Sequence, residues 1–325
     1  MGRRGHRPGT DPRDSRPGPL RLAQCAHRTY HLRAVPNVSR ETTMTSTSFA
    51  TIELLHDPRG FATLWLNRAD KNNAFNAQMI RELILALDQV QGNAGLRFLL
   101  IRGRGRHFSA GADLAWMQQA ADLDYNTNLD DARELAELMY NLARLKIPTL
   151  AVVQGAAFGG ALGLISCCDM AIATEDAQFC LSEVRIGLAP AVISPFVVQA
   201  IGERATRRYA LTAERFDGRQ ARHIGLIAEC YPVADLEHQT LGWIDNLLLN
   251  SPQAMRISKE LLREVGSGEL TPALRRYCES AIARIRTSAE GQEGLRAFLQ
   301  KRAPRWQQRD DEPAALEERQ KDSQR

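Results

Sequence analysis

Two short segments rich in glycine and alanine contain the residue types that could hold a negatively charged oxygen. The first turn is Phe108–Asp113 and the second turn is Gly155–Ala161. Each follows an apolar run and opens a predicted helix, where backbone N–H groups lack intrahelical partners and the helix dipole is positive. Because small side chains let a ligand approach the backbone, one amide from each turn could bind a single oxyanion. The alternative for either turn is tight packing without a ligand.

A third candidate for chemistry is Glu183, which lies among apolar residues in the segment Phe179–Val184. Desolvation by such neighbours raises the pKa of a carboxylic acid toward the range in which it exchanges protons at neutral pH. A solvated surface carboxylate is the alternative. The residues alone therefore offer an oxyanion site and an acid/base group, without showing that the two meet.

Other catalytic patterns are absent from the sequence. Neither turn contains G-x-x-x-x-G-K-[ST] or G-x-G-x-x-G, and the chain has no G-x-S-x-G or H-E-x-x-H. The six cysteines form no C-x-x-C pair, and the adjacent Cys167 and Cys168 are predicted to be core thiols that bind no metal. His107, which precedes the first turn, receives no role.

The elements that must position these residues alternate between strands and helices up to about Gly187 and are mostly helical afterwards. The segment Asp57–Gly60 separates two β-rich runs and predicts a hairpin turn. Periodicity predicts the other elements. The predicted strands are Ala50–Leu55, Phe61–Leu66, Phe98–Ile101, Thr149–Val153 and Asp169–Ala173, and the predicted helices run to about Gln91 and over Ala112–Ala121, Asp131–Leu145 and Gly159–Cys168. This order predicts one α/β core with a helical C-terminal region.

Charge is distributed unevenly along the 325 residues, whose formal net charge is +4. Residues 1–43 contain nine Arg and three acids, which leaves −2 for residues 44–325 and argues against a nucleic-acid-binding face. Residues 1–43 are predicted to be a disordered extension, with Met44 as a candidate true start. We predict a core over residues 44–250, a helical region over 251–306 and a charged tail over 307–325. No apolar run reaches the ~18–20 residues of a membrane span.

Five segments occur in an order and spacing typical of one protein family. They are Leu66–Arg68 with Lys71 and Asn73–Asn76, the first turn, Gly155–Gly160, Ala177–Phe179 with Glu183 and Ile186–Leu188, and Phe298–Arg302. Together they resemble the enoyl-CoA hydratase/isomerase (crotonase) family. The segments Ala156–Gly160, Leu162–Asp169 and Ser182–Pro195 are most similar to its bacterial hydratases of leucine and acyclic-isoprenoid breakdown, which act on 3-methylglutaconyl-CoA or isohexenylglutaconyl-CoA. The resemblance implies an α/β crotonase fold of ββα units, whose helical C-terminal region assembles a homotrimer or a dimer of trimers.

The resemblance also assigns roles to individual residues. It implies that the backbone amides of Ala110 and Gly160 are the oxyanion donors and that Glu183 moves the proton. The implied substrate-binding residues are Ala110, Gly111, Ala112, Asp113, Gly160 and Gly163, and the implied contacts to CoA phosphates are Arg68, Lys71 and Lys301. CoA is then the carrier of the substrate, with no prosthetic group. From the residue types alone, Asp113 is a helix first-turn acid and each cation a solvated surface charge.

One position departs from the family pattern. Hydratases of this family commonly have a second Glu three residues beyond the oxyanion glycine, where this chain has Gly163. Three explanations stay open: a group elsewhere replaces the acid, a carboxylate of the substrate orients the water, or Glu183 acts alone. A glycine there is also expected to free volume beside the acyl chain, which would suit a branched or carboxylated substrate.

The resulting prediction is hydration of an α,β-unsaturated acyl-CoA by syn addition of water, with 3-methylglutaconyl-CoA as an example. A Δ3–Δ2 enoyl-CoA isomerase that uses Glu183 alone is one alternative. An RNA-binding or inactive protein of the same fold is the alternative from another class. The predicted location is the bacterial cytoplasm, with the mitochondrial matrix as the alternative.

Overall fold

The structure is a computed structural model, and it describes Gly2 and residues 46–47, 49–266 and 269–308. The predicted extension over residues 1–43 and the predicted tail over 307–325 lie outside the described residues, apart from Gly2, Gln307 and Gln308. All the elements below belong to the unit Thr42–Arg325.

The described strands form two sheets. They are β1 (Ser46–Thr47), β2 (Ile52–Asp57), β3 (Phe61–Leu66), β4 (Phe98–Gly103), β5 (Thr149–Val153), β6 (Ala156–Phe158), β7 (Met170–Thr174), β8 (Gln178–Cys180), β9 (Phe216–Asp217) and β10 (Glu229–Tyr231). The larger sheet has the order β1-β2-β3-β4-β5-β7-β10 and the smaller one β6-β8-β9. Strands β3, β4, β5, β7 and β10 are parallel, whereas β1 and β2 add an antiparallel edge.

The described helices cover the larger sheet and form the C-terminal part. They are α1 (Ala77–Gly92), α2 (Leu114–Ala121), α3 (Tyr125–Ala143), α4 (Gly160–Cys167), α5 (Ser194–Thr212), α6 (Gly218–His223), α7 (Leu236–Leu248), α8 (Pro252–Gly266), α9 (Pro272–Thr287) and α10 (Ala289–Leu299). Short 3-10 turns occur at Ala69–Lys71, Glu183–Ile186, Val233–Asp235 and Arg305–Gln307. The predicted α/β core with a helical C-terminal region is confirmed.

The parallel pairing of β4 with β5 positions both turns. All five residues of β5 are buried, as expected for a strand covered on both faces. Parallel neighbours end at the same edge of a sheet, and Leu99 pairs with Thr149 at the start of this ladder. The chain therefore leaves β4 toward the first turn and β5 toward the second turn side by side.

The smaller sheet was not predicted, because its strands of two or three residues are too short to show periodicity. Strand β6 lies within the second turn and pairs in parallel with β8, for example Phe158 with Cys180. Strand β8 leads within three residues to Glu183. The sheet thus fixes Glu183 relative to the second turn.

The C-terminal helices bury far less than the core. Helix α8 contains no buried residue, and α9 and α10 contain one each, Ala281 and Ala297. Large apolar side chains point to solvent, among them Leu262 and Phe298, which is 82% exposed. An ion pair of 2.7 Å between Lys259 and Asp169 ties α8 to the start of β7. Within the described residues, no helix is both long and apolar enough to cross a membrane.

Candidate active site

The first and second turns lie against each other as two extended segments. Ser109 forms a parallel bridge with Ala157, and the Phe158 N–H donates to the Ser109 carbonyl at 3.0 Å. Gly111 has a φ of +97°, and a Cβ added to it would lie 3.2 Å from the Phe158 carbonyl oxygen. Glycine at this position therefore permits the close approach of the two turns.

The Ala110 amide is not free, in contrast to the prediction. Its N–H donates to the carbonyl of Asn72 at 2.9 Å. Asn72 adopts a left-handed conformation, with a φ of 52°, directly after the 3-10 turn Ala69–Lys71. This carbonyl comes from a distant segment, so no pattern within the first turn could have revealed it. The single N–H of Ala110 is therefore already bonded within the protein, which argues against it as the oxyanion donor, and its predicted contact with substrate stays a prediction.

Two other amides at the junction of the turns are unpaired. On either side of Ala112, the Gly111 carbonyl accepts from Phe75 N–H at 2.7 Å and the Asp113 N–H donates to Phe75 at 2.8 Å. Within the described part of the chain, the Ala112 N–H itself makes no hydrogen bond. The same holds for the N–H of Gly160, which is the first residue of α4 and so has no partner inside the helix.

The Glu183 carboxylate lies beside the second turn. Its Oε1 would be 3.2 Å from a Cβ added at Gly159, which adopts a φ of +52°. Its Oε2 is buried and has no hydrogen-bond partner among the described residues. Burial raises the pKa of Glu183 above its ordinary value. A glycine before α4 is thus what lets an acid approach the start of the helix.

Position 163 does not contain free space. Gly163 is buried in α4, and a Cβ added there would overlap Cγ2 of Ile193 and lie 3.0 Å from Cε of Met139. Ile193 is itself 2% exposed. The expectation that Gly163 enlarges the acyl pocket is wrong, because the volume is filled by apolar side chains from other parts of the chain. Its predicted contact with substrate stays a prediction.

Asp113 and Arg68 support the first turn. Asp113 is the N-cap of α2, where its Oδ1 accepts from the N–H of Ala115 at 2.9 Å and its Oδ2 accepts from Arg68 at 2.8 Å. Burial alone would raise the pKa of Asp113, but hydrogen bonds from Arg68, Ala115 and Trp116 lower it below its usual range. Asp113 therefore caps the helix from the position before its first turn and is not a first-turn acid. Contact of Asp113 with substrate stays a prediction.

The three cations predicted to bind CoA differ in their surroundings. Arg68 also donates to the Ala74 carbonyl at 2.6 Å and is only 16% exposed, so much of its guanidinium is engaged within the protein. Lys71 and Lys301 are exposed. Contact of any of the three with a CoA phosphate stays a prediction.

Asn73 and His107 are two residues of the site whose roles the sequence did not indicate. The buried Asn73 side chain donates to the carbonyls of Arg104 and His107, each at 2.8 Å, and accepts from the Arg68 N–H. The His107 ring accepts from the Ala156 N–H at 2.9 Å. The pair Asn72-Asn73 was the available signal, since asparagine tolerates the left-handed region that both adopt.

Among the described residues, no group of three or more His, Cys, Asp or Glu side chains is placed to hold a metal ion. Cys167 is buried and its Sγ lies 3.9 Å from the Met139 Sδ. Burial raises the pKa of the Cys167 thiol far above its ordinary value, so it is not a nucleophile at neutral pH.

Comparison with known proteins identifies the family. The profile described as enoyl-CoA hydratase/isomerase matches residues 57–309, more than two thirds of the chain. The chain belongs to the enoyl-CoA hydratase/isomerase family. The predicted crotonase fold is confirmed, and the protein is an enzyme of the enoyl-CoA hydratase type that acts on CoA-linked substrates.

Relatives within the enoyl-CoA hydratase/isomerase family include solved structures of similar shape. An enoyl-CoA hydratase from Shewanella pealeana is 48% identical, with a TM-score of 0.76 over 79% of this chain and 96% of the other. AtuE from Pseudomonas aeruginosa is 38% identical, with a TM-score of 0.76 over 80% of this chain and all of the other. The 2,3-dehydroadipyl-CoA hydratase of Escherichia coli is 28% identical over 74% of this chain and 92% of its own length.

Proposed function

We propose that this enzyme hydrates an α,β-unsaturated acyl-CoA whose acyl chain is branched or carries a second carboxylate, as in 3-methylglutaconyl-CoA. The observation that carries the proposal is a buried carboxylate with an unpaired oxygen, Glu183, beside a turn whose Gly160 amide is also unpaired. The proposed oxyanion donors are the amides of Gly160 and Ala112, with Ala112 in place of Ala110. Each such donor typically contributes about 3 kcal/mol to the transition state.

Glu183 alone can complete the addition of water. In its ionised form it takes a proton from water as the water oxygen bonds to Cβ, and the electrons of the double bond move through Cα onto the thioester oxygen. The two amides hold that enolate oxygen. Glu183 then returns the same proton to Cα as the thioester carbonyl re-forms. One carboxylate is enough for syn addition, because the proton leaves water and reaches Cα on the same face.

The packing around position 163 supports this one-acid mechanism. A second glutamate would need the volume that Ile193 and Met139 occupy. In the proposed mechanism the water is oriented by Glu183 together with the substrate. A second carboxylate on the acyl chain supplies an acceptor for the other O–H of that water. The relative named for a dehydroadipyl thioester, an acyl chain with a second carboxylate, supports this substrate class.

The same observation favours a second candidate reaction. A single carboxylate can also remove a proton from Cα of a 3-enoyl-CoA and return it to Cγ, which moves the double bond from Δ3 to Δ2. This reaction needs the same two oxyanion donors and no bound water. The isomerase therefore stays the alternative.

A matched pair of substrates tests the proposal. 3-Methylglutaconyl-CoA and 3-methylcrotonyl-CoA differ only in the distal carboxylate, and hydration of either lowers the absorbance of the conjugated thioester. We expect kcat/KM to be at least tenfold higher for the carboxylated compound. Equal values would contradict the substrate class, and a rise in absorbance with a 3-enoyl-CoA, without hydration of either 2-enoyl compound, would establish the isomerase instead.

The exposed apolar residues of the C-terminal helices support assembly with further copies of the chain. Leu262, Phe298 and Leu299 are each more than two thirds exposed, which is costly for side chains of this size. We propose a homotrimer or a dimer of trimers, in the bacterial cytoplasm. Light scattering on the purified protein checks the assembly, and a monomeric mass would contradict it.

A further inference from the structure

His107 joins the backbones that lead into the two turns. Its Nδ1 accepts a hydrogen bond from the Ala156 N–H at 2.9 Å. The carbonyl of the same residue, Ala156, accepts from the Ser109 N–H at 3.0 Å. Both backbone groups of Ala156 are therefore held by the segment that contains the first turn, one of them by a side chain.

The surroundings of the imidazole are built for this contact. Gly155 has a φ of +61°, and a Cβ there would overlap the Arg106 carbonyl oxygen and lie 2.6 Å from Nδ1 of His107. Only glycine thus allows the ring to approach the Ala156 amide. On the other side, the buried Asn73 side chain donates to the His107 carbonyl at 2.8 Å. The ring and the backbone of His107 are each fixed by a separate segment.

We propose that His107 is a positioning residue that sets the spacing between the oxyanion donors Ala112 and Gly160. The inference rests on the function proposed above. Ala156 begins β6, the short strand that leads to Gly160. His107 directly precedes the first turn, which contains Ala112. Loss of the His107–Ala156 bond would leave the two segments joined by backbone hydrogen bonds alone. A resulting displacement of about 1 Å at a catalytic group can lower the rate about 100-fold.

The contact requires a neutral imidazole. Protonated Nδ1 is a donor and would face the N–H of Ala156, which is also a donor. Burial, followed by the adjacent Arg106, lowers the pKa of His107 below its ordinary value. The residues that contact His107, which are Asn73 at its carbonyl and Gly155 and Ala156 at its ring, carry no charged side chain. The bond is therefore complete above about pH 6.5 and is lost as the pH falls through the lowered pKa.

Asparagine and leucine provide a matched pair of replacements, because they have nearly the same shape and only asparagine keeps an acceptor near the position of Nδ1. With the His107→Asn enzyme we expect kcat within threefold of the unmodified enzyme. With His107→Leu we expect kcat to fall at least tenfold while KM changes less than threefold, since the oxyanion donors act mainly on the transition state. Circular dichroism melting of all three proteins monitors the fold.

Equal kcat values for the leucine variant and the unmodified enzyme, or equal losses in both variants, would overturn the inference. If the leucine variant does not fold, the pH profiles of the other two proteins decide. We expect the unmodified enzyme to lose kcat more steeply below pH 6.5 than His107→Asn, and identical acid limbs would count against His107. Both hydration and 3-enoyl isomerisation are assayed because both need the donors. An unmodified enzyme with neither activity would instead refute the proposed function.

Discussion

Two glycines that flank the first turn of helix α4, Gly159 and Gly163, make room for opposite kinds of side chain. At Gly159, the missing side chain leaves room for the Glu183 carboxylate, whose Oε2 has no partner in the described structure. At Gly163, one turn further along, the corresponding space is filled by Ile193 and Met139. One glycine thus admits a charge to the site and the other admits a hydrocarbon side chain. The position of the second acid is therefore closed by apolar packing, and no acidic side chain could occupy it without moving Ile193 or Met139.

The surroundings of Gly159 and Gly163 also contribute with opposite sign to the free energy of unfolding. An ionised, buried oxygen without a hydrogen bond at Glu183 reduces the free energy of unfolding, a cost typical of functional groups. The close packing at Gly163 increases it, since buried methyl groups stabilise the core. Substitutions of Glu183 should therefore act mainly on turnover, and substitutions at Gly163 or Ile193 mainly on the free energy of unfolding.

The largest effect is expected from Glu183→Gln, which keeps the shape of the side chain and removes its ability to exchange a proton. We expect kcat to fall at least about 1000-fold, consistent with loss of a general acid/base. The melting temperature should stay equal or rise, because a buried charge is removed. Steady-state hydration and calorimetry measure the two quantities. Turnover that survives the change would remove Glu183 from the mechanism.

Gly163→Ala tests the close packing around Gly163. Overlap with Ile193 should lower the free energy of unfolding by about 1–3 kcal/mol. Ile193→Ala should lower it by about 2–5 kcal/mol through the cavity it leaves. Because each change relieves the other, the double variant should be more stable than the sum of the two losses predicts. Urea unfolding of the four proteins measures this coupling, and strict additivity would show that the two residues do not touch.

The pH dependence of turnover tests the burial of Glu183 beside Gly159. Hydration requires ionised Glu183, and burial raises its pKa. We therefore expect kcat/KM to fall tenfold per pH unit below a midpoint above 4.5, the ordinary value for Glu. The sign for stability is opposite, since the protonated, buried acid costs less, so the contribution of Glu183 to the free energy of unfolding improves as the pH falls through that midpoint. A midpoint at or below 4.5 would contradict the burial of the carboxylate.

The smallest effect concerns the cap of α2. Asp113→Ala removes the acceptor for Ala115 and should lower the free energy of unfolding by about 1 kcal/mol. Asp124→Ala is the matched control, because Asp124 caps α3 in the same way through the Thr127 N–H. Urea unfolding should show a loss for Asp113→Ala at least as large as that for Asp124→Ala, because only Asp113 also accepts a hydrogen bond from Arg68. Only Asp113→Ala should also lower kcat, since Asp113 adjoins the Ala112 amide. An equal fall in kcat for Asp124→Ala would show that Asp113 has no special role in positioning that amide.

Much of the fold was predictable because its signals are local. The strand Thr149–Val153 and the strand Phe61–Leu66 are found as predicted, since continuous apolar or β-rich runs mark them directly. Helix α3 begins at Tyr125 and not at Asp131, because Asp124 caps it and its first turns are polar. Strands β6 and β8 were missed, as segments of three residues become strands only through their pairing with each other.

The sequence by itself determined which residue types stand at the site: an acid at 183, glycines that permit close approach and a missing second acid at 163. The tertiary structure alone decided that Asn72 occupies the Ala110 amide and that Ile193 fills the space at Gly163. The reason is distance along the chain. Both partners lie thirty or more residues away, and only the parallel register of the strands and the packing of helices bring them into contact.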